Sequence, residues 1–203
     1  MTKFFSSDFH IRHKLVLGLR GYGREDGTVD HEAYEAALAA DWDSRVKKDD
    51  QVFLLGDLAL NPNKGAFEWL SKRPGRIIFI AGNHDKVHPL HSSWMVETRK
   101  WMDTGIFEII ASQGSVKIAG QKVLLSHFPY TGEGDRDQPD RYEEWRFRDE
   151  GLPLCHGHEH KAHTLEESLP HQFHVGLDSH NLQLVHELEI EDWLEGRAAN
   201  TSF

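Results

Sequence analysis

Apolar residues in this chain fall in short runs, each closed by Gly, Asn or Asp. The runs are KFFSSD (3–8), QVFLLGD (51–57), RIIFIAGNHD (76–85), FEIIAS (107–112), SVKIAG (115–120), KVLLSHFP (122–129), LPLCHGHEH (152–160) and FHVGLD (173–178). Each predicts a strand of about four to seven residues, mostly buried. A different period appears in residues 30–46, where Tyr34, Leu38, Trp42 and Val46 recur at helical spacing and Asp30 stands where a cap is needed. Residues 63–73 predict a shorter helix closed by Pro74-Gly75, and 94–102 and 190–198 predict two more. Helices dominate the early connections and strands the late ones, so the expectation is an α/β fold with helices covering a sheet core. No repeat, low-complexity tract or linker divides the chain, which predicts one domain over 1–203.

Composition narrows the class. At 203 residues with 38% hydrophobic and 28% charged residues, the chain can bury a core and is not of disordered type. No apolar run reaches membrane-spanning length, and the N-terminus turns polar too soon for a signal peptide. One cysteine, Cys155, cannot form an internal disulfide, and the expected location is cytoplasmic. A net charge of −10 argues against stable binding to nucleic acid or an anionic membrane, while a small phosphorylated substrate, a nucleotide among the candidates, stays open because bound metal reverses the local field. Homo-oligomers are compatible with all of this. The unusual count is 15 histidines, spread from His10 to His186.

The metal-type residues sit where predicted strands end. Asp8 and His10 follow the first run, Asp57 the second, Asn83, His84 and Asp85 the third, His127 the sixth, and His158 and His160 the seventh. Ligands in open α/β sheets bind beyond the carboxyl ends of strands, so five runs delivering such groups to one edge make a coherent site. Singly each has a bland alternative: a turn residue at Asp8, a helix cap at Asp57, a core histidine at His127. Together they outweigh it.

These segments, D-x-H, G-D, G-N-H-D, the lone His127 and G-H-x-H, resemble in order and spacing the calcineurin-like metallophosphoesterases. The likeness runs to VGLDSHN near the C-terminus. It is strongest with the short single-domain bacterial and phage branch, in which a further histidine (here His13) follows D-x-H and a W-x-S-R-V-x-x-D-D stretch precedes G-D. The resemblance implies a β-sandwich of two mixed sheets flanked by helices, in four layers α/β/β/α. It implies that Asp8, His10 and His160 hold one divalent cation, that Asn83, His127 and His158 hold a second, and that Asp57 bridges them. Mixed oxygen and nitrogen donors suit Mn first, with Fe, Ni, Co or Zn as alternatives. A hydroxide generated at the metal pair would attack phosphorus. His84 would protonate the leaving alkoxide, with Asp85 either orienting it or shaping a turn.

Departures from the family pattern bear on substrate. Protein phosphatases of this superfamily carry D-R-G after the bridging aspartate, whereas GDLALNPNKG here has no arginine. A small-molecule substrate is therefore expected rather than a folded phosphoprotein, and a small phosphodiester, cyclic nucleotides included, is the leading reading. The alternatives are a phosphomonoester on the same site and, in a different class, a metal-poor protein-binding scaffold of the same fold. Asn83, His13 and Arg12 are the candidate substrate contacts. Arg20, Arg24, Arg136, Arg141, Arg146 and Arg148 are expected to pair with nearby acids. In the seventh run Gly157 is expected to turn the backbone sharply. That leaves His156 as a strand-end neighbour of the site, with metal ligation the minority reading. The polar segment 129–151 predicts an active-site loop or short helix.

Overall fold

We describe a computed structural model covering residues 1–132, 139–162, 165–166 and 169–200. Four parallel strands, β1 (Lys3–Ser6), β2 (Gln51–Leu54), β3 (Arg76–Ile80) and β4 (Phe107–Ala111), form the first sheet. A short antiparallel strand, β10 (Val185–His186), completes it beside β1. The second sheet has the order β5-β6-β7-β9-β8, with β5 (Gln113–Ile118), β6 (Gln121–Ser126), β7 (Leu154–His156), β8 (Leu165–Glu166) and β9 (Leu169–His174). Its β6–β7 and β7–β9 pairs are parallel and its outer pairs antiparallel.

The alternation of side chains explains why apolar runs rather than alternating patterns mark these strands: the first sheet is buried on both faces. Phe4, Val52 and Ile77 are register partners on one face and pack against Tyr34, Leu38 and Trp42 of α2 (His31–Arg45), Trp69 and Leu70 of α3 (Ala66–Leu70) and Trp101 of α4 (Trp94–Met102). Phe5, Phe53 and Ile78 point the other way and meet Val123, Leu125, Cys155 and Phe173 of the second sheet. The helix α5 (Glu187–Asn200) touches strands of both sheets and adds Ile190, Trp193 and Leu194 to that inter-sheet core. On the outer face of the second sheet, Leu124 and Leu154 are covered by Tyr130 and Phe147 from the polar segment. The structure thus shows two mixed sheets with flanking helices.

Most element bounds follow the pattern. Asp30 caps α2 by accepting from the Ala33 amide at 3.0 Å. The third helix is shorter than predicted because Gly65 at its start is left-handed, with φ 113°. The seventh run keeps strand geometry only to His156. After it, φ is positive at His158 and His160, so alternation gives way to a tight turn. A short helix, α1 (Lys14–Leu17), continuing into a π turn over Gly18–Tyr22, was not legible in the hydrophobic pattern.

Candidate metal centre

The seven expected ligands converge at the carboxyl ends of β1, β2, β3, β6 and β7, and all but His160 and His158 have less than a tenth of their surface exposed. Five of them, Asp8, His10, Asp57, His158 and His160, have φ between 46° and 77°. Left-handed backbone is costly for side chains with a Cβ and persists where the surroundings impose it. Here it directs consecutive strand-end side chains inward.

Two donor groups result, Asp8 with His10 and His160, and Asp8 with Asp57 and His127. Asp57 Oδ2 lies between the two sides, 3.7 Å from His10 Nε2 and 3.6 Å from His127 Nε2. Asn83 Oδ1 is 3.0 Å from both His127 Nε2 and His158 Nδ1. His10 Nε2 and His160 Nε2 face each other at 3.1 Å. Donors bonded to a common cation at about 2.0–2.2 Å stand roughly 3.0–3.5 Å apart, so these spacings suit such an ion.

The hydrogen bonds behind the rings test whether a cation fits. His127 Nδ1 donates to the Leu55 carbonyl at 2.8 Å, which leaves its Nε2 as a bare lone pair aimed at Asp57 and Asn83 oxygens. His160 Nδ1 bonds Asp178 Oδ2 at 2.8 Å, which turns its Nε2 toward His10, with Asp8 Oδ1 at 3.8 Å. Acceptors facing acceptors in a buried site repel. A divalent cation among them reverses that sign, so the residues present fit bound metal.

Electrostatics point the same way. Burial opposes ionisation of Asp8, yet His160, His127 and His10 together hold it well below the usual carboxylate range. Burial, then the charge of Asp8, pushes Asp57 up. Burial, then His127, holds His158 down at about 2 and His84 at about 4. Burial pulls His160 down as well, but the Asp178 hydrogen bond and the charges of Asp8 and Asp178 more than offset this and raise it.

His84 and Asp85 take different roles. His84 has 42% of its side chain exposed, places Nε2 3.8 Å from Asp57 Oδ2, and lines the cavity above the centre. Asp85 is fully buried and accepts from the backbone amides of Asp57 (2.7 Å), Leu58 (3.1 Å) and Gly82 (2.7 Å). Its carboxylate therefore clamps the β2 and β3 ends together, which matches the turn-shaping role among the two expected for it rather than the orienting of His84.

Arg12 is also placed differently from the expectation. Its Nε pairs with Glu35 at 2.9 Å and its Nη1 donates to the Lys64 carbonyl at 2.7 Å, so it does not line the metal cavity. His13 does line it, with Nδ1 accepting from the Val16 amide at 3.3 Å to cap α1. His156 lies beside His174, ring centroids 5.3 Å apart, with Nδ1 bonded to the Gly157 carbonyl, and it joins neither donor group. Gly157 earns its place by close approach rather than by turning. A Cβ there would meet Ser7 Oγ at 2.3 Å and Asp8 Oδ2 at 2.6 Å. Arg136 lies outside the described residues.

Several participants were not found from sequence. Asp178 anchors His160 and is itself gripped by Arg20 through Nε at 2.8 Å and Nη2 at 2.7 Å. Arg20 Nη2 also donates to the Asp8 carbonyl at 2.8 Å, tying two strand ends together. The signal was present, since Asp178 follows a run just as Asp8 and Asp57 do. From the polar segment, Tyr142 and Arg141 line the cavity, held by Arg146, which donates to the Arg141, Pro129 and Gly132 carbonyls. The cavity encloses about 650 Å³.

The two-sheet sandwich brings carboxylates, a carboxamide and imidazoles together at its strand ends, a donor set that could hold metal ions in an α/β fold. Residues 1–177 match the calcineurin-like phosphoesterase superfamily domain, and the chain belongs to that family. The family is metal-dependent, and membership supports a hydrolase acting on phosphoesters. The chain is 39% identical over 201 residues to the gene 66 protein of Mycobacterium phage L5, covering 93% of this chain and 92% of that one. It is 37% identical over 204 residues to the gene 66 protein of Mycobacterium phage D29, covering 95% and 98%. A protein of unknown function from Aquifex aeolicus shares the fold, with a TM-score of 0.65 at 20% identity over 94% of this chain and 98% of that one. Among the described residues no helix is long and apolar enough to cross a membrane.

Proposed function

We propose that this protein hydrolyses small phosphodiesters, cyclic nucleotides among them, at a dinuclear metal centre. Asp8, His10 and His160 would hold one divalent cation, and Asn83, His127 and His158 the other, with Asp57 shared; Mn is the first choice. When bound, the pair supplies Lewis-acid charge that polarises the phosphoryl group and acidifies water. Water adds to phosphorus, one ester P–O bond breaks, and the departing alkoxide needs a proton. His84, exposed on the open face of the centre, would deliver it. Its low pKa leaves it neutral at pH 7 in the free protein, and the anionic substrate beside it favours the protonated form.

The preference for a diester rests on the cavity's cations. Among the described residues, the arginines lining it are Arg20 and Arg141, and Arg20 is committed to Asp178. A monoester dianion calls for more compensating charge than a diester monoanion. Turnover of a bis-aryl phosphate and a mono-aryl phosphate by the Mn-loaded protein tests the reading. Faster diester turnover supports it, and faster monoester turnover makes the protein a phosphomonoesterase.

A further inference from the structure

Beside the metal cavity lies a second cleft of about 610 Å³ that shares His13, Leu15 and Leu19 with it. Val29 and Leu60 continue its wall. Leu15, Leu19 and Leu60 expose 67%, 80% and 48% of their surface, a cost in water that a bound apolar group would recover.

Two glycines of the lining, Gly18 and Gly23, have no backbone reason to be glycine. Gly18 is ordinary helix, φ −60° and ψ −44°, and Gly23 ordinary extended chain, φ −74° and ψ 142°. A Cβ on Gly18 would meet nothing within 4 Å, and one on Gly23 would sit 3.7 Å from the Gly18 Cα, a normal contact. Glycine within a helix sacrifices stability relative to alanine. What the missing side chains do here is leave the cleft open.

Lys14 and His13 add polar atoms at one end of the cleft, while its other polar side chains are already engaged. Arg12 holds Glu35 and the Lys64 carbonyl, Arg24 pairs with Asp30 at 2.8 Å, and Thr28 Oγ1 donates to Asp26 at 2.6 Å. A nucleobase seated there would leave much of its hydrogen-bonding edge unmet, whereas an alkyl or aryl group would lose nothing.

We propose that this cleft receives the apolar alkyl or aryl ester group of a phosphodiester whose phosphoryl group occupies the metal cavity, and that Gly18 and Gly23 set how large that group can be. The proposal rests on the phosphodiesterase reading, and its test separates the two. Calorimetric titration of the Mn-loaded protein with alkylphosphonates from methyl to hexyl reads the cleft without any turnover. Affinity should rise roughly three- to fourfold per methylene until the cleft is filled. In Gly18→Trp, which fills the cleft from a position where a side chain has room, the hexyl-to-methyl ratio should fall toward one, while Gly18→Ala keeps most of it. A parallel series of alkyl p-nitrophenyl phosphodiesters should show the same rise in kcat/KM. A flat affinity series in the unmodified protein overturns the cleft assignment and leaves the phosphodiesterase reading standing. A graded affinity series with no ester hydrolysed overturns the phosphodiesterase reading alone. Tighter binding of adenosine 5′-monophosphate than of hexylphosphonate, abolished by Gly18→Trp, also overturns the assignment, because the occupant would then be a nucleoside.

Discussion

Replacing Asp85 separates a carboxylate that holds the site together from one that takes part in the reaction. Its oxygens accept three backbone N–H groups, from Asp57, Leu58 and Gly82, in a spot without solvent contact. Hydrogen bonds to a charged acceptor contribute about 1.5–3 kcal/mol each, and an orphaned buried donor costs a similar amount. Water entering the space left by Asp85→Ala would satisfy part of that demand. The net loss should then be roughly 3–5 kcal/mol, a large share of a typical 5–15 kcal/mol stability. Asp85→Asn keeps one carbonyl oxygen for two of the amides but turns an NH2 toward the third, so its loss should be roughly 1–3 kcal/mol. Urea unfolding of the metal-free protein reads this directly. For a chain of this size the Asp85→Ala midpoint should fall by roughly 1–2 M, with Asp85→Asn between it and the unmodified protein. An unchanged midpoint in both variants, together with lost turnover, would refute the clamp and restore a role in orienting His84.

Other outcomes follow from the same geometry. His84→Ala should bind metal as before and lose about 10²–10⁴ in turnover, and undiminished turnover would remove it from the reaction. Asp178→Ala frees the back of His160 and should weaken metal binding about 10- to 100-fold, measured by titration against a coloured chelator. His88, packed edge-on against Phe128 and Trp145, is held at about 4, chiefly by burial. Its unfolded form takes up a proton near pH 6.5 while the folded form refuses it, so its contribution to stability is full above pH 6.5 and is lost as pH falls toward 4. The urea midpoint of the metal-free protein should therefore fall less between pH 7 and 4 in His88→Gln than in the unmodified protein, and an equal change in both would contradict the assignment.

Strand content and the strand-end positions of the candidate ligands were legible because the same runs mark both. A run such as RIIFI needs two buried faces, and the polar residues that follow it mark where the chain leaves the sheet. The helix at 31–45 was legible because Tyr34, Leu38 and Trp42 repeat at helical spacing behind a capping aspartate. What escaped was set by tertiary contacts. Asp85 looks like any turn aspartate until the β2 end is packed against it. Arg12 and Arg20 follow the same motif, yet one turns outward to Glu35 and the other inward to Asp178. No local pattern separates them, because the partners stand far along the chain. In LPLCHGHEH the expected break falls after His156, but the turn does not lie at Gly157. The left-handed residues His158 and His160 separate two inward-facing rings from His156, and alternation alone could not foresee their backbone.

The most direct test of the account is metal content measured alongside activity on one sample. Protein stripped with a chelator and reloaded with Mn should bind two divalent ions per chain by elemental analysis. Hydrolysis of an aryl phosphodiester should vanish on stripping and return on reloading. Protein that holds no stoichiometric metal, or that hydrolyses the ester equally well in excess chelator, would contradict the central claim.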